Sequence, residues 1–441
     1  MSDFSRLPQP PEVPPIPGPR RRTPLARIFY GWYVVAAAFL ILFVTGAASS
    51  MIGVMMKPII VDMGWSRAAT SSAVFLNMTV YAASLLLTGR LYDRFGPRWI
   101  IPVSVALFAT GYVITARAVS LWEFLLSYGL VAAAGTGGSS VPMFGSVIGR
   151  WFQARRGLAV SLAMAGYSLG QFCLIPVLSS LVEQSGWRTT CLWVGGLTAA
   201  VGLPLSLGVI RGDPKDYGLH PYGETKTSQV SPLARDTGGK AALATRDLSL
   251  TEALRTRSLW LFALVMFICG GGDHLVTTHL VPMVTDYGIA TDAAADMLAW
   301  LGLLGLGGML AAGPAADAIG NRAPIALTFG LRVVLFALLL FVTGLVPYWI
   351  FSLGFGFTLM VTAPLTATVV SNLYGVTHIG FISGFITTVH MIGGGLWGYL
   401  GGVIFDRTGN YNLALAVSAG LAVVAIVCTL LMQERRYVAK K

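Results

Sequence analysis

The chain has 441 residues, 55% hydrophobic and 11% charged, with a mean hydropathy of +0.71. Soluble domains carry roughly a quarter charged residues, so a soluble globular fold is excluded, and the 52 glycines follow no G-X-Y period, which excludes collagen. The net charge of +11, from 30 basic and 19 acidic residues, raises nucleic acid as a partner, and the placement of those charges along the chain decides the point.

Residues 1–27 combine a proline-rich run with Arg20, Arg21, Arg22 and Arg27, cannot bury a core, and read as a disordered tail. Arginines ahead of an apolar run also resemble a signal peptide, with Ala47, Ala48 and Ser49 as small residues for cleavage. Residues 28–56 are uncharged over a length well beyond the ~7–15 residues of a signal h-region, so a retained first membrane span is expected. Apolar stretches follow at about 69–89, 99–116, 121–149, 157–182 and 187–210. The polar stretch 211–257 reads as a linker, and six more apolar runs lie at about 258–285, 293–316, 323–346, 348–374, 378–405 and 410–432. A short basic tail, 433–441, closes the chain. Each run matches the ~20 residues a spanning helix needs, and glycine and proline inside the runs are tolerated in lipid. The expected fold is an all-α membrane protein of twelve transmembrane helices in two six-helix bundles, 28–210 and 258–432.

With the N-terminus cytosolic, the outside loops hold only Lys57, Arg67, Arg117, Arg188 and Arg407, Arg332 falls within a span, and the other basic residues lie inside. This asymmetry predicts cytosolic termini and a cytosolic linker, in the plasma (bacterial inner) membrane. It also removes nucleic acid as a partner, because basic residues on short loops beside the inner leaflet face lipid headgroups. Cys173, Cys191, Cys269 and Cys428 lie singly in apolar runs without CxxC spacing, so buried reduced thiols are expected, with neither metal nor disulfide.

The two halves match at a nearly constant offset. Asp62 and Gly64 recur as Asp286 and Gly288; Gly89, Asp93, Gly96 and Arg98 recur as Gly313, Asp317, Gly320 and Arg322; Gly157, Gly170, Glu183 and Gly186 recur as Gly380, Gly393, Asp406 and Gly409. A duplicated six-helix unit with a substrate path between its copies is a transporter architecture.

Between spans two and three stands Gly89-Arg90-Leu91-Tyr92-Asp93-Arg94-Phe95-Gly96-Pro97-Arg98. It closely resembles the cytoplasmic loop signature of the major facilitator superfamily, and the resemblance covers roughly 28–432. Gly89 is expected to let helices approach closely and Gly96 to allow the sharp reversal. The resemblance implies that Asp93 and its neighbours Arg90, Arg94 and Arg98 form a cytoplasmic gate. In the second copy, Gly313, Asp317, Gly320 and Arg322 persist while Pro314 replaces Arg90 and Ala318 replaces Arg94, so a weaker lock is expected there.

Tyr30-Gly31-Trp32-Tyr33, Gly64-Trp65-Ser66-Arg67-Ala68 and Arg150-Trp151-Phe152 with Arg155-Arg156-Gly157 resemble the monocarboxylate porter branch, which includes oxalate/formate antiporter relatives. The chain departs from that branch at its charges. Tyr30 stands where animal monocarboxylate carriers have an acidic residue, and span eight lacks their Asp and Arg, with Met309 near the arginine's place. The oxalate carrier's span-eleven lysine is also missing, leaving His390 as the one ionisable residue deep in that span.

Ionisable groups at membrane depth mark function by default. Asp273, in Gly270-Gly271-Gly272-Asp273-His274 of span seven, is the candidate for proton coupling or substrate contact together with its neighbour His274, and His390 of span eleven, which faces either the path or the glycine seam, is a further candidate. His279 lies one turn nearer the outside and is expected at the wet surface. Arg332, in peripheral span nine, is expected to snorkel partly toward the cytosol. Asn77, Tyr128 and Gln171 are uncharged candidates for lining the path, and the glycines from Gly393 to Gly402 form a small-residue packing seam.

P-loop, HExxH and GxSxG patterns are absent, so neither an enzyme nor a nucleotide-driven pump is expected, and no cofactor is implied. The leading expectation is a monomeric secondary transporter of a small organic anion, coupled to the proton by symport. The alternatives are an anion exchanger of the oxalate/formate type, a carrier of a zwitterionic or cationic small molecule, and a non-transporting sensor or assembly partner.

Overall fold

The computed structural model describes residues 29–223, 249–375 and 378–433, without the side chains of Asp93, Lys215, Asp216 and Ile379. The 1–27 tail, residues 224–248 of the linker and residues 434–441 lie outside the described residues. The first bundle comprises α1 (Tyr30–Met63), α2 (Arg67–Phe95), α3 (Pro97–Thr115), α4 (Leu121–Trp151), and the two limbs of Arg156–Gly208, α5 (156–185) and α6 (187–208). The second comprises α7 (Arg257–Asp286), α8 (Thr291–Ile319), α9 (Arg322–Phe341), α10 (Leu345–Tyr374), α11 (Ile379–Thr408) and α12 (Asn412–Leu431). The limbs α5 and α6 meet at Gly186, whose φ of 80° breaks the helix.

Glycine marks the repeat in the backbone. Gly64 and Gly288 have φ of 67° and 76°, Gly96 and Gly320 have 73° and 80°, and Gly186 and Gly409 have 80° and 72°. Each pair stands at matching turns of the two bundles, where a Cβ would strain the left-handed backbone. At the α2–α3 turn, Pro97 follows Gly96 at the first helical position, where its missing N–H costs nothing.

Successive helices alternate in direction, so one end of the molecule carries Phe29 and the 89–98 turn, and the other carries Asp62 and Asp286. Within each bundle the first helix packs on the fifth, α1 on α5 and α7 on α11. The approach is backbone to backbone: a Cβ on Gly170 would run into the Phe43 carbonyl, and one on Gly270 into that of His390. Between bundles, α2 packs on α11 and α5 on α8. The glycine seam of α11 serves two partners, with Gly393, Gly394 and Gly401 against α7 and Gly395, Gly398 and Gly402 against α2.

Candidate functional site

The Gly270–Gly272 run keeps α7 slim where three helices converge on Asp273. A Cβ on Gly272 would lie 3.4 Å from the Arg332 guanidinium, which approaches through that gap. Asp273 is 6% exposed, and its Oδ1 lies 2.6 Å from Nη2 of Arg332. Its Oδ2 faces His390 Nε2 at 3.2 Å and accepts from the Cys269 thiol at 3.5 Å. Cys269 sits one helical turn before Asp273, on the same face of α7.

Arg332 does not snorkel. It is 1% exposed, its guanidinium is 4.6 Å from the Phe355 ring centroid, and its donors end on Thr358 and Cys269. A buried carboxylate on α7 is a better partner for this long side chain than distant water. The buried cation of the second bundle thus stands on α9, paired with Asp273, rather than on α8. Cys269, Asp273 and His390 offer ligand atoms within 4.8 Å of one another, but a metal ion among them would meet the guanidinium on the same carboxylate.

His274 is half-buried, with its ring centroid 6.4 Å from that of His390. His279 is not at the wet surface: it is fully buried, Nε2 donates to the Gly398 carbonyl at 2.7 Å, and Nδ1 faces the Tyr411 hydroxyl at 3.0 Å. The carbonyl only accepts, so Nε2 carries the proton and Nδ1 accepts from Tyr411.

Asn77 and Tyr128 are both buried and tied together inside the first bundle. A π-helical stretch, Leu125–Ala132, interrupts α4, and Asn77 Nδ2 donates to the Tyr128 carbonyl there at 2.7 Å. Gln171 sits on the boundary between bundles. Its Nε2 donates to Ser50, while Oε1 is buried against Gly302 of α8 and has no hydrogen-bond partner among the described residues.

The repeat sets Ser49 and Tyr167 in the first bundle where Asp273 and His390 stand in the second, and the Tyr167 hydroxyl lies against Ser49. One half thus presents a neutral hydroxyl pair and the other an ionic trio at equivalent positions of the repeat.

Both copies of the loop signature lie at the Phe29 end. Arg90, Arg94, Arg98, Gly313 and Asp317 are exposed, and the side chain of Asp93 lies outside what is described. Gly96 and Gly320 make the turns as expected, and Arg322 starts α9. A Cβ on Gly89 or Gly313 would meet nothing within 4 Å, so in this conformation neither glycine serves close helix approach.

The opposite end is tied between the bundles. Asp286 of α7 pairs with Lys57 of α1 at 2.7 Å and with Arg67 of α2 at 2.7 Å. Arg67 also donates to the Tyr411 hydroxyl at 2.7 Å and stacks 3.5 Å over the Phe405 ring. The Asp406 carboxylate caps α2 across the boundary, accepting from Arg67 N at 3.1 Å and Ala68 N at 2.8 Å. The repeated acids Asp62 and Asp286 were a signal of this cluster in the sequence. Their partners were not, because Asp62 pairs inside its own bundle with Trp187 and Arg188.

Residues 38–398 match the model of the Major Facilitator Superfamily. The chain belongs to that superfamily. This Major Facilitator Superfamily protein is 28% identical over 403 residues to human monocarboxylate transporter 11, covering 89% of the chain and 80% of that protein. It is 24% identical over 394 residues to the uncharacterized MFS-type transporter YcxA of Bacillus subtilis, covering 88% and 91%. It is 26% identical to monocarboxylate transporter 13 of Bos taurus over 398 residues, covering 88% and 86%. Among solved structures, a D-xylose-proton symporter superposes with a TM-score of 0.71 at 16% identity, covering 92% of this chain and 98% of its own. The twelve-helix superfamily fold and a membrane-transport role follow from these matches.

Proposed function

We propose that the chain is a secondary active transporter that carries a small organic anion of the monocarboxylate type by alternating access with proton symport. The observation that carries this reading is the Asp273–Arg332–His390 trio, a titratable cluster buried at membrane depth in the second bundle. Kinship with monocarboxylate transporters supports the substrate class. The basic residues of the short loops support cytosolic termini in the plasma (bacterial inner) membrane.

In this reading the halves rock about the path between them. The Asp286–Arg67–Lys57 cluster closes the outer side, and the signature residues Arg90, Asp93, Arg94 and Arg98, with the weaker copy at Asp317 and Arg322, hold the cytosolic side in the alternate state. Purified protein in liposomes tests it, through accumulation of radiolabelled pyruvate under an acid-outside pH gradient. Accumulation that collapses with the gradient is the expected result. Uptake indifferent to the gradient but dependent on an internal anion would identify an exchanger instead.

A further inference from the structure

This inference rests on the reading of the chain as a proton-coupled carrier of an organic anion. Arg332 is the obvious cation for such a substrate, yet the geometry withholds it. Its Nε donates to Thr358 Oγ1 at 3.0 Å, Nη1 to the Cys269 carbonyl at 3.3 Å and Nη2 to the Thr358 carbonyl at 3.1 Å, so each guanidinium nitrogen already has a protein acceptor. His390 is the opposite case. Its side chain is 14% exposed, against 9% for Asp273 and 1% for Arg332. Its Nδ1 is buried without a hydrogen-bond partner among the described residues.

A carboxylate only accepts, so the 3.2 Å contact with Asp273 fixes a proton on His390 Nε2. Nδ1 is then the nitrogen that gains and loses a proton. We propose that His390 Nδ1 binds the transported proton and the substrate carboxylate together, as a charge-assisted N–H···O pair, while Arg332 and Asp273 form a fixed positioning pair that does not touch substrate.

The charge count selects the substrate. With Nδ1 unprotonated the trio is neutral, because Asp273 and Arg332 cancel. Protonation leaves one positive charge, which a monocarboxylate cancels and a dicarboxylate overshoots. The empty carrier and the fully loaded one can therefore both turn over without an uncompensated charge in apolar surroundings, and the half-loaded one cannot. The proton is taken up from one side with the carboxylate and released with it on the other; no other bond changes. The groups facing His390 fit this count. Asp273, Cys269 and His274 come from α7 and Arg332 from α9, whereas α2 brings Val74, Phe75 and Met78 to the seam and α12 brings Ser418, all uncharged.

The test uses the full chain in liposomes with radiolabelled pyruvate and oxalate and a pH-sensitive dye. Wild type is expected to move one proton with each pyruvate and to prefer pyruvate over oxalate by about tenfold or more. His390→Gln keeps an amide donor toward Asp273 but cannot titrate. It should lower gradient-driven pyruvate accumulation about tenfold or more and make the remaining pyruvate affinity independent of pH. A His390→Gln protein that still accumulates pyruvate with the pH gradient overturns the proposal and leaves the anion-carrier reading standing. Wild type that transports neither acid overturns that reading, and this inference with it. Should His390→Gln fail to fold, wild type still decides: pyruvate moving without a proton, or oxalate moving as well as pyruvate with a single proton, overturns the assignment.

Discussion

Arg67 of the first bundle grips Asp286 of the second through both carboxylate oxygens, with Nη1 at 2.7 Å from Oδ2 and Nη2 at 2.9 Å from Oδ1. A two-point fork of this kind fixes orientation as well as charge. Because Lys57 and Tyr411 join the same cluster, α1, α2, α7 and the turn that leads into α12 meet at one point, and that end of the path cannot open without breaking it.

Asp286→Asn removes the charge and keeps the shape. The pair is partly exposed, so solvent screening limits its worth to about 1 kcal/mol, and the open population at that end should rise about fivefold. A cysteine introduced at Thr277, labelled by an impermeant thiol reagent in sealed vesicles, reads the change. Unaltered labelling would show that the fork does not govern opening. Lys57→Met should act more weakly, since Lys57 touches the cluster at one point only.

Asp406 holds the first two backbone N–H groups of α2 from across the boundary. Asp406→Ala should therefore cost about 1 kcal/mol, the usual worth of a helix cap, and lower the melting temperature by about one degree. Its repeat counterpart, Glu183, is exposed and provides the control. Equal melting shifts for Glu183→Ala and Asp406→Ala would refute the capping role.

Removing one member of the Asp273–Arg332 pair strands the other in the membrane interior. Asp273→Asn and Arg332→Met should each destabilise the protein by about 3–5 kcal/mol, whereas the double change should cost less than either alone. Thermal unfolding of the purified single and double variants measures the coupling. Additive losses would mean that the ion pair is not the interaction at stake.

The glycines divide into two groups by what a methyl would meet. Gly270→Ala drives α7 into the His390 backbone and should cost about 1–3 kcal/mol while displacing the trio. Gly313→Ala meets open space and, by helix propensity, should be neutral or slightly stabilising. Melting temperatures and pyruvate accumulation of the two variants should separate cleanly; equal effects would contradict the packing described for the α7–α11 contact.

The membrane class, the two matched halves and the turns between their helices were legible in the residues alone. Those properties depend on local composition and on residues close in the chain: long uncharged runs, and Gly64, Gly96 and Gly186 recurring at the same places as Gly288, Gly320 and Gly409. Asp273, His274 and His390 could be singled out because a charge in an apolar run is visible wherever it sits. Their partners could not. Arg332 looks like a snorkelling side chain until the fold brings it to Asp273, and His279 looks wet until Gly398 and Tyr411 close around it. The pairing of Asp286 with Arg67, rather than with the residue matching Arg188, is likewise a choice made between bundles. Sequence spacing along one helix records which face a residue shares, but which charges meet depends on how helices far apart in the chain pack together, and that is set by the folded bundle.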